Sequence, residues 1–87
     1  MKIEKKIQPE YFEAIKSGKK KYELRLANWK CKEGDMLVLR EWDPKTKDYT
    51  GKSMNKKVTY VKVFKIDKLF WSKKDIEKHG LQVISFK

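Results

Sequence analysis

The chain has 87 residues, 23 of them Lys or Arg against 12 Asp or Glu, for a formal net charge of +11. That length gives room for one small core, so a single domain over residues 1–87 is expected, with no second lobe to complete a site. One cysteine, Cys31, excludes an internal disulfide, and one His beside one Cys excludes a structural zinc set, so neither metal nor cofactor is expected.

The opening MKIEKKIQPE contains no apolar run resembling a signal peptide or a membrane span. A cytoplasmic protein of a reducing compartment, with no membrane partner, is the expectation. Positive charge on this scale attracts polyanions, which makes RNA or a nucleotide or nucleoside the first partner class and an acidic protein surface the next. The charge is less informative than its size implies, because 21 of the 23 basic residues are lysines spread along the whole chain, a pattern that adaptation to heat also produces. The two arginines, Arg25 and Arg40, say more. A planar guanidinium fork suits bidentate contact with carboxylate or phosphate, or stacking on a ring.

Taken in chain order, Ile3 to Ile7 reads as a short strand. QPEYFEAIKSG then has helix punctuation at both ends, with Pro9 at the first helical position and Gly18 as the stop. Ile7 and Phe12 occupy the positions of a hydrophobic staple, and Phe12 and Ile15 are assigned to the core. From residue 20 the period changes to two, placing Tyr22, Leu24 and Leu26 on one face and Lys21, Glu23 and Arg25 on the other; this predicts a half-buried strand with the apolar face inward. GDMLVLREWD begins at a Gly34-Asp35 turn and predicts a strand buried on both faces. The polar stretch DPKTKDYTGK, 43–52, reads as a hairpin loop, and KKVTYVKVF, 56–64, as the antiparallel strand that follows it. SKKDIEKHG carries a capping box from Ser72 to Asp75, Trp71 in a staple with Ile76, and a Gly80 stop. LQVISF is expected as a last strand. The order β-α-β-β-β-α-β with mostly antiparallel neighbours predicts an α+β fold, a small, partly open barrel with the first helix at its side.

The stretch GKKKYELR contains the pattern G-x-K-x-x-E-x-R, occupied by Gly18, Lys20, Glu23 and Arg25. Directly after a PEYFEAI helix and followed by a W…GD turn, it is similar to the ASCH domain family, named for homology to activating signal cointegrator and part of the PUA-like superfamily. The further run LVLREWDP…YTG…KKVTYV looks like a small, single-domain branch of that family. The resemblance covers nearly the whole chain. It implies a PUA-like β-barrel whose cleft, between the first helix and the barrel, is lined by the motif residues and takes RNA or a nucleoside.

The residue types suit such a cleft. Lys20 follows the helix stop and offers a mobile point charge for phosphate. Glu23 and Arg25 project the same way from one strand, roughly 7 Å apart, one accepting and one donating, so together they can read a base edge. The plainer reading is that they pair with each other, or with Lys21 or Glu41, as surface charge. Trp29, in a loop flanked by lysines, is either a stacking lid for a base or a plug on the barrel end. Trp42 and Tyr49 are expected to brace the hairpin.

A bacterial branch of the ASCH family resembles an amidohydrolase on acetylated cytidine, with a threonine where this chain has Glu23. A carboxylate there is a poor substitute for the nucleophilic hydroxyl, although it can serve as a general base on water. Other members of the family have been proposed to cut single-stranded RNA, for which Lys20, Glu23 and Arg25 would be the catalytic groups of a metal-independent hydrolase. Glu41, Asp43 and Asp75 are further acids, and no spacing selects one. Cys31 lacks a nearby histidine, and His79 beside Gly80 suits the negative end of a helix dipole, so neither is assigned to catalysis.

Overall fold

The computed structural model describes residues 1–84. It is a small α+β fold: strand β1 (Lys2–Ile7), helix α1 (Pro9–Lys16), strands β2 (Met36–Asp43) and β3 (Asp48–Lys57), a 3-10 turn (Ile66–Lys68) and helix α2 (Lys73–His79). The three strands form one open sheet in the order β1-β2-β3, with β1 parallel and β3 antiparallel to β2. Parallel neighbours need a crossover of a dozen residues or more, and residues 8–35, containing α1, supply it. The expectation of mostly antiparallel neighbours therefore holds only for the β2–β3 pair.

Helix α1 starts and stops where its sequence indicates. Pro9 opens it, Phe12 N–H donates to the Gln8 carbonyl, and Gly18, at φ +84°, takes the left-handed conformation that ends it. Its apolar stripe lies on the sheet, where Ile7, Phe12, Ile15 and Leu39 form the core and Leu37 and Met54 pack around them. Leu39 is 1% exposed. Full burial of a side chain of that size contributes about 1.5–3 kcal/mol. The central strand is paired along both edges, but it is not buried on both faces as the apolar run Met36–Leu39 predicts: Leu39 and Glu41 are buried on the helix side, whereas Met36, Val38, Arg40 and Trp42 on the other face are only partly covered.

The hairpin differs from expectation in its register. Lys47 N–H donates to the Asp43 carbonyl at 2.8 Å and Asp43 Oδ1 accepts from Lys45 N–H at 2.8 Å, so the chain reverses within residues 44–47 and pairing resumes at Asp48. Strand β3 thus takes its first half, residues 48–52, from the polar stretch assigned to a loop. By Lys57, opposite Met36, the whole of β2 has been used. Of the strand expected over 56–64, only Lys56 and Lys57 fall in β3; residues 58–64 begin with Val58 bonded to both Asp35 and Gly34, after which no β2 residue is left to pair with them. Tyr60, Val63 and Phe64 are exposed.

The 20–26 segment is a second correction. Among the described residues it joins no ladder, and its faces are the reverse of those expected: Leu24 and Leu26 are 77% and 78% exposed, while the Glu23 carboxylate is turned toward the body of the protein. The sheet accordingly remains open where a closed barrel would need two more strands. Helix α2 forms as its punctuation indicates, with Ser72 Oγ accepting from Asp75 N–H at 3.1 Å and Gly80 at its end. The last strand expected over 81–86 has no counterpart over 81–84, and residues 85–87 lie outside those described.

Buried Asp35 fastens the start of β2. Its Oδ2 accepts from Lys32 N–H at 3.0 Å, its Oδ1 from the Met1 ammonium at 3.3 Å, and Met36 N–H donates to the Met1 carbonyl. The Lys32 N–H bond first, then the ammonium and the Lys32 charge, hold the Asp35 carboxyl below its ordinary range against the opposing effect of burial. Asp35 also acts on Cys31, whose thiol is pushed up by burial and then by that carboxylate.

Two measurements check this architecture. In chemical denaturation, Leu39→Ala should cost about 2–5 kcal/mol and Leu24→Ala under about 1 kcal/mol, the order opposite to an inward-facing Leu24. A lowered carboxyl pKa stabilises the fold fully above roughly pH 5 and less as pH falls through the lowered value. Asp35→Asn should therefore reduce stability at pH 7 and flatten its decline below pH 4; an unchanged acid limb would remove Asp35 from this role.

Candidate functional site

Where α1 ends, Lys20 N–H donates to the Ala14 carbonyl at 2.9 Å, which folds the chain back against the helix and sets the Lys20 side chain beside it. The next residues then run past the end of β1. Between them lies a cleft of about 560 Å³ lined by Lys6 to Gln8, Tyr11, Lys20 and residues 22–26. Three of the four residues of the G-x-K-x-x-E-x-R pattern line it, and Gly18 supplies the bend that directs them there.

The centre of the cleft is a carboxylate held between two cations. Glu23 Oε1 accepts from Lys20 Nζ at 3.2 Å and Oε2 from Arg25 Nε at 2.7 Å, and Arg25 Nη2 donates to the Lys6 carbonyl at 2.6 Å. The side chains of Lys20 and Glu23 are mostly buried, at 17% exposure each. The plainer sequence reading, in which Glu23 and Arg25 pair with each other, describes this resting geometry. It does not exhaust the groups: Arg25 has five N–H donors and spends two here, and each Glu23 oxygen has a second lone pair.

Two rings complete the site. The Lys20 ammonium lies 4.6 Å from the Tyr11 ring centre and 5.1 Å from that of Tyr22. Sequence reasoning passed over both, Tyr11 because it faces away from the helix's core stripe and Tyr22 because alternation assigned it to the core. The position of Tyr11 just after the N-terminus of α1, on the side to which the chain returns at Lys20, was the available signal.

Other candidates lie elsewhere. Trp29 does not line the cleft; Lys5 Nζ sits over its ring at 3.9 Å. Glu41 is buried and accepts from Thr50 Oγ1 at 2.7 Å, Asp43 is engaged in the hairpin turn, and Asp75 is on α2, so among the described residues no second carboxylate reaches the cleft beside Glu23. The raised Cys31 thiol is unsuited to nucleophilic attack. Among the described residues there is no cluster of three or more His, Cys, Asp or Glu placed to hold a metal ion, and no helix long and apolar enough to cross a membrane.

A cleft at the end of the first helix, with one carboxylate, two cations and two phenol rings, is thus the chemistry to compare with known proteins. No curated protein and no solved structure matches the chain. A family described as a domain of unknown function (DUF3850) matches residues 3–70, which include β1 from Ile3 on, α1, the whole cleft and the β2–β3 hairpin. The chain belongs to that family.

Proposed function

We propose that the chain binds RNA, or a nucleotide presented by it, in the cleft centred on Lys20, Glu23 and Arg25. The observation that carries this reading is the Lys20 ammonium lodged between a carboxylate and two tyrosine rings, within one open cleft. Phosphate exchanges with Glu23 for the lysine, the released carboxylate and the spare Arg25 donors face a base edge, and Tyr11 or Tyr22 offers a ring to stack on. The net charge of +11 favours the same partner by raising the local concentration of polyanions.

The ASCH and PUA-like resemblance belongs to the same proposal. It is supported by the position of the motif, at the end of the first helix and over a cleft beside the sheet; the open three-stranded sheet supplies only part of the barrel it implies. A cytoplasmic setting is proposed with it, supported by the lone cysteine.

A metal-independent hydrolase acting on RNA or a modified nucleoside is the second reading, favoured by the contact of all three candidate catalytic groups, Lys20, Glu23 and Arg25, in one cluster. Binding is preferred because, among the described residues, no second carboxylate reaches the cleft to serve as the general acid opposite Glu23. An adaptor for an acidic protein would use the basic surface without the motif.

Affinity for single-stranded RNA should fall steeply with rising salt, as release of counterions requires. Lys20→Gln and Arg25→Lys should each weaken binding by at least roughly 1 kcal/mol, the second because lysine keeps the charge and loses the fork. Arg25→Lys also cuts the tether to the Lys6 carbonyl, so its stability is measured alongside; Lys20→Gln has no such tether and should leave folding within about 1 kcal/mol. Lys19→Ala and Lys21→Ala should alter mainly the salt slope. Glu23→Gln with turnover lost and binding kept would establish the hydrolase instead. Equal binding by all of these variants would reduce the motif to solvated charge.

A further inference from the structure

The sheet has a second face, turned away from α1, and the cleft does not use it. The strand register places Lys6 beside Arg40 and Trp42 beside Tyr49, while the residues alternating with them, Ile7, Leu39 and Glu41, are buried on the helix side. The change of register between Arg40 and Trp42 keeps these four side chains on one side, because β2 runs on without interruption while β3 sets three residues, Thr50 to Lys52, against Glu41 alone. They meet there: the Arg40 guanidinium lies 3.8 Å from the Tyr49 ring centre, and Lys6 Nζ lies 4.9 Å from the Trp42 ring and 5.9 Å from that of Tyr49.

This grouping exceeds what bracing a hairpin requires. It joins one of only two arginines, a tryptophan and a tyrosine, all partly or fully open to solvent. Lys2 and Lys57 extend the same face, and Glu4 alone opposes them in charge. Lys6 also connects the face to the cleft, since its carbonyl holds Arg25 while its ammonium reaches the two rings.

We infer that the outer face around Lys6, Arg40, Trp42 and Tyr49 is a stacking platform for single-stranded RNA leaving the cleft, so that the ligand is a strand of several nucleotides and not a free mononucleotide. This rests on the reading of the cleft as an RNA site and adds the path of the strand. Rings and guanidinium planes accept bases of any sequence, and the flanking lysines track the backbone. The platform therefore contributes affinity and strand length, whereas the cleft contributes the hydrogen-bonding groups.

The test compares a labelled oligouridylate about a dozen nucleotides long with uridine monophosphate as competitor, in the intact chain. Arg40→Gln combined with Tyr49→Leu should weaken the oligonucleotide at least about fivefold and leave the mononucleotide unchanged. Arg25→Lys should weaken both. Arg40→Lys, which keeps the charge but not the plane, should weaken the oligonucleotide without changing the salt slope, and it replaces the double variant should that fail to fold. Lys73→Gln, on α2, sets the effect of losing one charge at a distance. If the double variant changes affinity no more than Lys73→Gln does while Arg25→Lys still weakens binding, the platform is overturned and the cleft stands. If wild type binds the mononucleotide as tightly as the oligonucleotide, the platform is likewise overturned. If wild type binds neither, both readings fall.

Discussion

Leu39 is the residue on which the fold turns. It sits at the middle of the central strand, and the helix reaches the sheet by closing Phe12 and Ile15 over it, with Ile7 arriving from the parallel neighbour. In a chain where 40% of residues are charged, few side chains are available for such a cluster. Its compactness has a structural result: the helix end, the end of β1 and the chain that follows Gly18 are all held within reach of one another, and the cleft is the space left between them.

The wall of that cleft is held differently. Residues 20–26 have no ladder partners among the described residues and present leucines to solvent; what fastens them is the bond from Lys20 N–H to Ala14, the Lys20–Glu23–Arg25 cluster and the Arg25 bond to Lys6. Ion pairs of this partial exposure contribute on the order of 0–1 kcal/mol each. A ligand that offers the same groups better partners can therefore rearrange the wall without disturbing the core, which separates the energetics of binding from those of folding.

What could be read from the sequence follows from how locally each feature is determined. Helices α1 and α2 were legible because caps and stops act within a few residues: Pro9, Gly18, Ser72 and Gly80 stand where the helices begin and end. The central strand was legible because the apolar run Met36–Leu39 follows a Gly34-Asp35 turn and is too short for a buried helix. The 20–26 segment was not, because alternation reveals two faces without saying which one is inside, and here the charged face found partners at the end of β1. Strand β3 was misplaced because propensity favours Val and Tyr at 58–63, whereas the turn at 44–47 fixes where pairing starts and so spends β2 on polar residues first. Lys20, Glu23 and Arg25 were singled out by type, spacing and a family resemblance; Tyr11 and the Lys6 carbonyl, which lie beside them in the cleft, come from elements that only the fold brings near.

The open sheet gives the lysines a further meaning. Among the described residues no strand pairs with the outer edge of β1 or of β3, an arrangement that invites strands of other molecules to add on, although Arg25 already occupies the Lys6 carbonyl. Strand β1 carries Lys2, Lys5 and Lys6, and β3 carries Lys52, Lys56 and Lys57, so two copies meeting edge to edge would stack rows of like charge about 4.8 Å apart. Part of the basic character is then a guard against self-association, needed whether or not a polyanion is bound. It weakens as ionic strength rises and the screening length shrinks toward about 8 Å at physiological salt, and a bound nucleic acid, by neutralising the lysines, would itself lower the barrier to assembly of the protein along a strand.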